Sequence, residues 1–246
     1  MTLPVHLVPT LAGVAAGDRV GVEGDEAHHA VAVRRLRVGE RVVLTDGRGT
    51  AVTGAVAETG KRLFTVAVEL VEYADPPTPA VAVVQALPKG ERGELAVEVL
   101  TEIGVTRIVP WAASRSVAVW KGERAEKSLA KWRATAREAA KQARRSWFPE
   151  VAPLATTAEV AALIAEAGVA VVLHEEGDAR LADVVLPPEG DLLLVVGPEG
   201  GLSEDELATF EAAGAVTIRL GAEVLRTSTA GLAAVSALLS RTARWA

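Results

Sequence analysis

The chain has 246 residues, of which 50% are hydrophobic and only 4% aromatic, and its formal net charge is -6. This length allows one large domain or two ordinary ones. The absence of cysteine excludes disulfide bonds, thiolate zinc sites and cysteine nucleophiles. The negative charge argues against a general nucleic-acid coat but allows a local basic face. With neither a signal peptide nor a stretch of bilayer-spanning length, the sequence predicts a soluble, cytoplasmic protein.

Residues 1–73 are predicted to form a small β-barrel. Strand-like segments occur at 41–45, 51–56 and 63–71, and the turn at 46–49 predicts a hairpin between the first two. Several short strands at this spacing are typical of a barrel.

A helix is predicted at residues 25–36, with basic residues in its last turn and directly after it. Arg34, Arg35 and Arg37 form either an ordinary solvated face or a set of phosphate contacts, and the pattern does not choose between them. Two adjacent histidines in this helix lack a third ligand at helical spacing, so no metal site is predicted.

A linker is predicted at residues 73–79, where three prolines fall within four positions. It separates the N-terminal domain from a second domain at 80–246. There the pattern alternates between buried strands and amphipathic helices, which indicates a mostly parallel α/β sheet. The predicted strands are 81–87, 105–110, 169–173, 192–196 and 216–220. The helix at 91–103 is predicted to bury Leu95, Val99 and Ile103, and Gly104 fits a helix C-terminus.

A long helix is predicted at residues 121–145. Its basic residues recur at helical spacing and form one stripe: Arg133, Arg137, Lys141 and Arg144 or Arg145. The stripe is either a solvated face or an RNA surface. The predicted buried side consists of Leu129, Trp132, Ala136, Ala139, Ala140 and Ala143. Trp147 and Phe148 follow, and they either stack on bases or serve as a buried anchor.

Two strand-turn-helix junctions near the C-terminus are predicted to form the functional site. Gly197, Gly200 and Gly201 follow the apolar run 192–196, and Ser203 with Glu206 predicts a capping box for the next helix. Glycines allow a ligand close to the backbone, and open α/β sheets bind ligands at the carboxyl ends of their strands. A junction without a ligand is the alternative. Neither the P-loop nor the Rossmann fingerprint is present.

An ordered set of motifs spans the chain. It comprises residues 29–39, 87–90, 102–105, 137–145, 197–201 and 220–230. In this order and spacing the motifs resemble the bacterial 16S ribosomal RNA uridine N3-methyltransferases, which are S-adenosylmethionine enzymes of the SPOUT class. The resemblance implies an α/β domain with a deep trefoil knot and an N-terminal PUA-like β-barrel. It also implies a homodimer with the C-terminal helix at the interface and an active site shared between subunits.

The resemblance also implies roles for individual residues. The cofactor S-adenosylmethionine would be held by Leu173, His174, Gly197, Glu199, Gly200, Gly201, Leu220, Gly221, Leu225, Thr227, Ser228 and Thr229. The RNA would be held by Arg34, Arg35, Arg37, Lys89, Arg133, Arg137, Lys141, Arg144 and Arg145. Arg226 would meet the cofactor carboxylate or an RNA phosphate, and it is the candidate catalytic residue because it can favour the uridine anion. No metal is implied.

The chain departs from the family pattern at two places. Many members carry a glutamate where this chain has Ser228, which is expected to cap the last helix. Many also carry an arginine near the N-terminus, where residues 2–6 of this chain have none.

Three functions follow from the sequence. The first is a methyltransferase acting on N3 of a uridine in 16S ribosomal RNA. The second is a ribosomal-RNA-binding assembly module without activity. The third is an enzyme that binds a small molecule or nucleotide at the Gly197 turn, and the missing phosphate motifs argue against it.

Overall fold

A computed structural model describes residues 3–186 and 190–245. The chain divides into two compact units. The first comprises Met1–Pro76 with Lys141–Phe148, and the second comprises Pro77–Ala140 with Pro149–Ala246. The division after Pro76 falls inside the predicted linker. The segment Lys141–Phe148 was expected in the second domain but packs with the first unit.

The first unit contains a five-stranded sheet in the order β1-β3-β4-β5-β2. Its strands are β1 (Val5–Leu7), β2 (Arg19–Glu23), β3 (Arg41–Thr45), β4 (Thr50–Thr59) and β5 (Leu63–Tyr73). Strand β1 runs parallel to β3, and the other neighbours are antiparallel. The predicted hairpin joins β3 to β4. Side chains on one face, among them Leu44, Val52 and Phe64, form its core.

The predicted N-terminal helix is shorter than the sequence suggested. Helix α1 (Gly24–His28) continues as a π-helical turn over His29–Val33 and ends at Arg34. Arg35 then has a φ of 58°, in the left-handed region that stops a helix. The three basic residues of this segment therefore lie at and beyond the helix end rather than along a helical face.

Trp147 and Phe148 are half-buried and pack against residues of the first unit. A Cβ on Gly49 would lie 2.8 Å from the Trp147 ring, and one on Gly47 would lie 2.9 Å from Phe148 Cγ. The Trp147 indole nitrogen donates a hydrogen bond to the Ala74 carbonyl over 2.8 Å. Of the two interpretations left open by the sequence, these contacts match the anchor and not a base-stacking platform.

The second unit contains a seven-stranded sheet in the order β10-β12-β9-β11-β6-β7-β8, in which every neighbouring pair is parallel. Its strands are β6 (Val81–Ala86), β7 (Arg107–Trp111), β8 (Glu150–Val151), β9 (Val169–Leu173), β10 (Ala179–Arg180), β11 (Leu192–Val196) and β12 (Val216–Arg219). Its helices are α2 (Arg92–Glu102), α3 (Glu123–Gln142), α4 (Thr157–Glu166), α5 (Glu204–Ala212) and α6 (Thr227–Leu239). The predicted parallel α/β architecture is confirmed.

Hydrophobic clusters cover both faces of this sheet. Along β11, Leu192 and Leu194 belong to one cluster, whereas Leu193 and Val195 belong to the other. Side chains of α2, α3 and α6 fill the first cluster, and those of α4 and α5 fill the second. This two-sided burial explains why β11 is apolar at every position.

Two details of the predicted helices were wrong. Helix α2 buries Ala96, Val97 and Leu100, whereas Leu95 is 44% exposed. The buried stripe is therefore offset from the predicted one, because the small residues Gly93 and Ala96 let the helix approach its neighbours closely. Helix α3 ends at Gln142, which leaves Ala143 exposed outside the helix.

No helix within residues 3–186 and 190–245 combines the length and apolar character needed to cross a membrane.

Candidate active site

A cavity of about 790 Å³ opens at the carboxyl edge of the parallel sheet. Strands β12, β9 and β11 are neighbours there, so the loops that follow them meet at one place. The cavity is lined by residues 173–176, 196–202 and 219–225, with Arg115, Glu204, Leu207, Thr227 and Ala230. The three loops singled out from the sequence are thus brought together.

The wall after β11 depends on glycine. A Cβ on Gly200 would lie 3.1 Å from both the Cβ and the carbonyl oxygen of Arg115. Gly201 has a φ of 71°, a conformation that side chains other than glycine disfavour. Arg115 Nη1 also donates to the Leu202 carbonyl at 3.0 Å. The loop can therefore fold closely against Arg115 and keep its backbone at the cavity surface.

The opposite wall is formed by the loop after β12 and by the start of α6. Thr227 is the first residue of α6, and its hydroxyl donates to the Gly197 carbonyl over 2.7 Å. The helix N-cap is Arg226, which makes no side-chain capping bond. Ser228 was expected to cap this helix, and that prediction is wrong because Ser228 lies inside the first turn and is buried.

The predicted cofactor residues line the cavity with two exceptions. Ser228 is buried and Thr229 is half-buried, and neither contributes to the cavity surface. Arg226, the catalytic candidate, is exposed and also lies outside the lining. It is nevertheless flanked in sequence by Leu225 and Thr227, which do line the cavity. Its role stays a prediction.

The cavity carries more acidic than basic side chains. Carboxylates come from Glu175, Glu176, Glu199, Glu204 and Glu223, and guanidinium groups come from Arg115 and Arg219. This balance suits a cationic ligand better than a polyanion. Arg115 is not among the residues predicted from the sequence, although it lies just beyond β7, another strand of the same parallel sheet, where ligands commonly bind.

Glu199 connects this cavity to the loop that precedes α2. Its Oε1 accepts a hydrogen bond from the Lys89 backbone nitrogen at 3.1 Å and lies 3.5 Å from Arg92 Nη1. The Lys89 side chain is not part of this contact and is exposed, as a role in RNA binding requires.

Glu206 fixes the two segments that flank the glycine loop. One oxygen accepts from the Ser203 backbone nitrogen at 2.9 Å, which completes the predicted capping box of α5. The other accepts from the Ser114 backbone nitrogen at 2.7 Å, beside Arg115. Burial alone would raise the pKa of Glu206, but hydrogen bonds from Ser203 and Ser114 hold that pKa below its ordinary value. The Glu206 carboxylate is therefore charged at neutral pH, and in that form it holds the two segments together.

The basic residues assigned to the first unit differ in how accessible they are. Arg34, Arg35, Arg37 and Arg144 are exposed, and Arg145 is half-buried. Arg35 and Arg144 have φ values of 58° and 55°. These two arginines therefore occupy left-handed backbone positions that only a few per cent of non-glycine residues adopt.

Lys141 does not present a free charge as the stripe predicted. Its Nζ lies 2.9 and 3.0 Å from the two oxygens of Glu26, and its side chain is only 13% exposed. His6 Nδ1 lies 3.0 Å from the same carboxylate. This ion pair within the first unit competes with the predicted phosphate contact, since the lysine would have to leave Glu26 to reach RNA, and the RNA-binding role of Lys141 stays a prediction.

Replacing Glu26 by glutamine should lower the free energy of unfolding by about 2 kcal/mol at pH 7, because it removes a partly buried charged partner. Burial would raise the Glu26 pKa, but hydrogen bonds from His6 and Lys141 lower it from 4.5 to about 2. The contribution is therefore complete above pH 4.5 and is lost as the pH falls toward 2. Urea denaturation at pH 7 and pH 3 measures both effects.

The matched control is Glu58→Gln, because Glu58 pairs with Arg19 on the surface of the same unit with both side chains more than 60% exposed. Its effect should stay below about 1 kcal/mol. Equal losses in the two variants would contradict the assigned role of Glu26.

Arg133 and Arg137 lie on α3 in the second unit and are exposed. Arg133 Nε donates to the Val151 carbonyl at 3.1 Å, and Arg137 Nε lies 3.3 Å from Glu138. Both residues are nevertheless exposed, so the interpretation as an RNA surface stays open for them. Within residues 3–186 and 190–245, histidine and acidic side chains form no group of three that could hold a metal ion.

Comparisons with known proteins agree with this geometry. Residues 75–239 match the family described as RNA methyltransferase domain, and residues 22–69 match the RNA methyltransferase PUA domain. The chain is 45% identical to ribosomal RNA small subunit methyltransferase E of Mycobacterium bovis, with 100% of this chain and 93% of the relative covered. It is 30% identical to the Bacillus subtilis protein of the same name, with 90% of each chain covered.

Solved structures show the same fold. Ribosomal RNA small subunit methyltransferase E of Neisseria gonorrhoeae, bound to S-adenosyl methionine, superposes with a TM-score of 0.87 at 27% identity and covers 98% of both chains. A Legionella pneumophila structure with bound cofactor SAM gives a TM-score of 0.90 at 26% identity, again over 98% of both chains. The fold is therefore a SPOUT-type α/β domain with a PUA-like N-terminal domain, and this chain belongs to the RNA methyltransferase family.

Proposed function

We propose that the chain transfers a methyl group from S-adenosylmethionine to N3 of a uridine in the 16S RNA of the small ribosomal subunit. The observation that carries the proposal is the cavity of about 790 Å³ formed by the loops after β9, β11 and β12. Family membership and the names of the relatives support it, because they describe methyltransferases of small subunit ribosomal RNA.

The cavity has the properties that S-adenosylmethionine requires. Its volume falls within the range of small-molecule sites, roughly 300–1,000 Å³. Glycine at positions 197, 200, 201 and 221 leaves backbone amides and carbonyls accessible to the adenosine and methionine portions. The acidic lining favours a ligand that carries a sulfonium and an ammonium group. We assign its binding to the lining residues of the three loops, with Leu173 and His174 after β9, Gly197 to Gly201 after β11, and Leu220, Gly221, Leu225 and Thr227 after β12.

The bound cofactor supplies a methyl group on a positively charged sulfur. The residues of this chain have to place the uridine N3 in line with that methyl and favour loss of its proton, since N3 is protonated at neutral pH. Positioning of this kind can lower the barrier by roughly 7–11 kcal/mol at best. Arg226 is our candidate for stabilising the uridine anion, because it is exposed beside the cavity and lies at the positive N-terminal end of α6.

The RNA itself has to be held by surfaces other than the acidic cavity. We assign this role to the exposed arginines 34, 35, 37 and 144 with Arg145 in the first unit, and to Lys89, Arg133 and Arg137 in the second. The target base has to leave its stack to enter a closed pocket. We also propose a homodimer in which the partner completes the site, which is supported by Val224 and Leu225 standing 78% and 41% exposed at the cavity.

Two measurements test the proposed function. Isothermal titration calorimetry with S-adenosylmethionine should show stoichiometric binding. Primer extension should be carried out on small subunit RNA from cells with and without the gene. Reverse transcription should stop at the modified uridine only when the gene is present, because an N3 methyl blocks base pairing. Binding of RNA without binding of the cofactor would favour an inactive assembly module instead. Affinity for nucleotides with indifference to RNA would favour the third function.

Replacing Arg34 and Arg37 together by alanine should weaken RNA binding and reduce its dependence on salt. Log affinity falls as log salt concentration rises, and each lost phosphate contact makes this slope less steep by about 1. Filter binding between 50 and 200 mM salt measures this slope. Arg41→Ala is the control, because Arg41 is an exposed arginine of the same unit that already pairs with Glu69 at 2.8 Å. An unchanged slope in the double variant would contradict the assignment.

A further inference from the structure

Gln85 lies at the carboxyl end of β6, just beneath the cavity, and is 1% exposed. Neither the family motifs nor the cavity lining includes this side chain. Its Nε2 donates to the Ala86 carbonyl and to Thr227 Oγ1, both over 3.1 Å. A fully buried amide in an otherwise apolar strand is costly unless it is hydrogen-bonded, so these two bonds offset the cost of burying its nitrogen.

The hydroxyl of Thr227 joins two structural elements. It accepts the hydrogen from Gln85 Nε2 and donates its own to the Gly197 carbonyl over 2.7 Å. A hydroxyl has one donor and two acceptor sites, so both bonds can exist together. We call this chain of hydrogen bonds, from Gln85 through Thr227 to Gly197, the relay. It connects β6 with the first residue of α6 and with the glycine loop after β11, and so links two walls of the cavity.

We propose that Gln85 is a positioning residue that acts through Thr227 on Gly197 and holds the cofactor pocket in its binding geometry. The inference rests on the proposed function, because it concerns the same cavity. Gly197 has no side chain with which to fix itself, and a Cβ there would lie 3.3 Å from Leu202 Cγ. The orientation of its carbonyl is therefore set by the hydroxyl that bonds it.

The amide has a fixed orientation. Ala86 O can only accept, so the nitrogen of Gln85 faces it and also reaches Thr227. This leaves Gln85 Oε1 buried with no hydrogen-bond partner among the described residues. Methionine has a similar shape and carries no such acceptor. A Gln85→Met variant therefore removes the relay together with an unsatisfied atom, and its unfolding midpoint should stay close to that of the wild type.

The test measures cofactor affinity by calorimetry and folding by thermal unfolding without ligand. Thr227→Val should weaken S-adenosylmethionine binding roughly 10-fold, and Gln85→Met roughly 3- to 10-fold, which are the losses expected for one or two hydrogen bonds. Thr227→Ser keeps the hydroxyl and should recover most of the affinity. The double variant should match Thr227→Val within about 2-fold, because residues in one network are not additive.

Steady-state kinetics gives a second measurement that a merely structural role would not affect. The KM for S-adenosylmethionine should rise in Gln85→Met, whereas kcat at saturating cofactor should change less. Ser236→Ala is the control, since Ser236 lies farther along α6 and its hydroxyl donates to the Leu232 carbonyl of the same helix. Wild-type affinity in Thr227→Val and Gln85→Met, or an equal loss in Ser236→Ala, would overturn the relay. Failure of the wild type to bind S-adenosylmethionine would instead reject the proposed function on which the relay rests.

Discussion

Replacing Glu206 by alanine should lower the free energy of unfolding by about 3 kcal/mol and weaken cofactor binding. The change removes a helix cap, worth about 1 kcal/mol, and leaves the partly buried backbone nitrogens of Ser114 and Ser203 without their acceptor. Ser114 precedes Arg115, and Ser203 follows Leu202, so both flank residues that line the cavity. The loss of the carboxylate should therefore loosen the glycine loop as well as the fold.

The effect should also depend on pH. Folding lowers the pKa of Glu206, so its contribution is complete above the ordinary carboxyl pKa of 4.5 and is lost as the pH falls below that value. Denaturation by urea should show a smaller difference between wild type and Glu206→Ala at pH 3 than at pH 7. Calorimetry with S-adenosylmethionine measures the effect on the site.

Helix α4 offers a matched control, because it begins with the same type of capping box, in which Glu159 bonds Thr156. Glu159 is exposed, and within residues 3–186 and 190–245 its carboxylate bonds only Thr156. Glu159→Ala should destabilise the protein less than Glu206→Ala and leave cofactor affinity unchanged. Equal losses of affinity in the two variants would show that Glu206 acts only as a helix cap.

Replacing Gly54 by alanine should lower the free energy of unfolding by about 3 kcal/mol or more, through crowding of the first unit. Gly54 lies in β4, where the register with β5 shifts between Thr53 and Gly54. An added Cβ would overlap the Ala67 carbonyl oxygen and lie 2.8 Å from Val66 Cγ1. Because the first obstacle is backbone, the two strands would have to separate. Circular dichroism during chemical denaturation measures the loss.

The control for this variant is Gly21→Ala in β2 of the same sheet. A Cβ there would meet only the Leu63 Cδ1 atom at 3.9 Å, which is ordinary contact. The control should stay within about 1 kcal/mol of the wild type. If Gly54→Ala were equally stable, the close approach of β4 and β5 in this unit would be incorrect.

Local patterns in the sequence were sufficient to locate most elements of the second unit. The strands 169–173 and 192–196 were predicted with the bounds that they have in the structure, because a parallel strand buried on both faces is apolar at every position. The capping box of Ser203 and Glu206 was predicted for a similar reason, since both partners lie within four residues. Helix faces were harder: α2 turns Leu95 outward although its spacing suits burial.

The motifs of the chain also indicated which loops form the site. The placement of individual side chains within it depended on residues far away in sequence. Arg115 donates a hydrogen bond to the carbonyl of Leu202, which is 87 residues away in the sequence. Gln85 donates one to Thr227, which is 142 residues away. Lys141 belonged to a regular basic stripe, yet it pairs with Glu26, which lies 115 residues away. No periodicity encodes such pairs.

By itself, the sequence determined most of the strands and helices of the second unit, the family and the loops that line the cavity, because each depends on residues close together in the chain or on motifs read in order. Only the tertiary structure decided which charges are available for a ligand and which are used within the protein. Glu206, Lys141 and Gln85 show why: their hydrogen-bond partners are brought within about 3 Å by folding, and burial then makes those partners, rather than water, determine what each group can do.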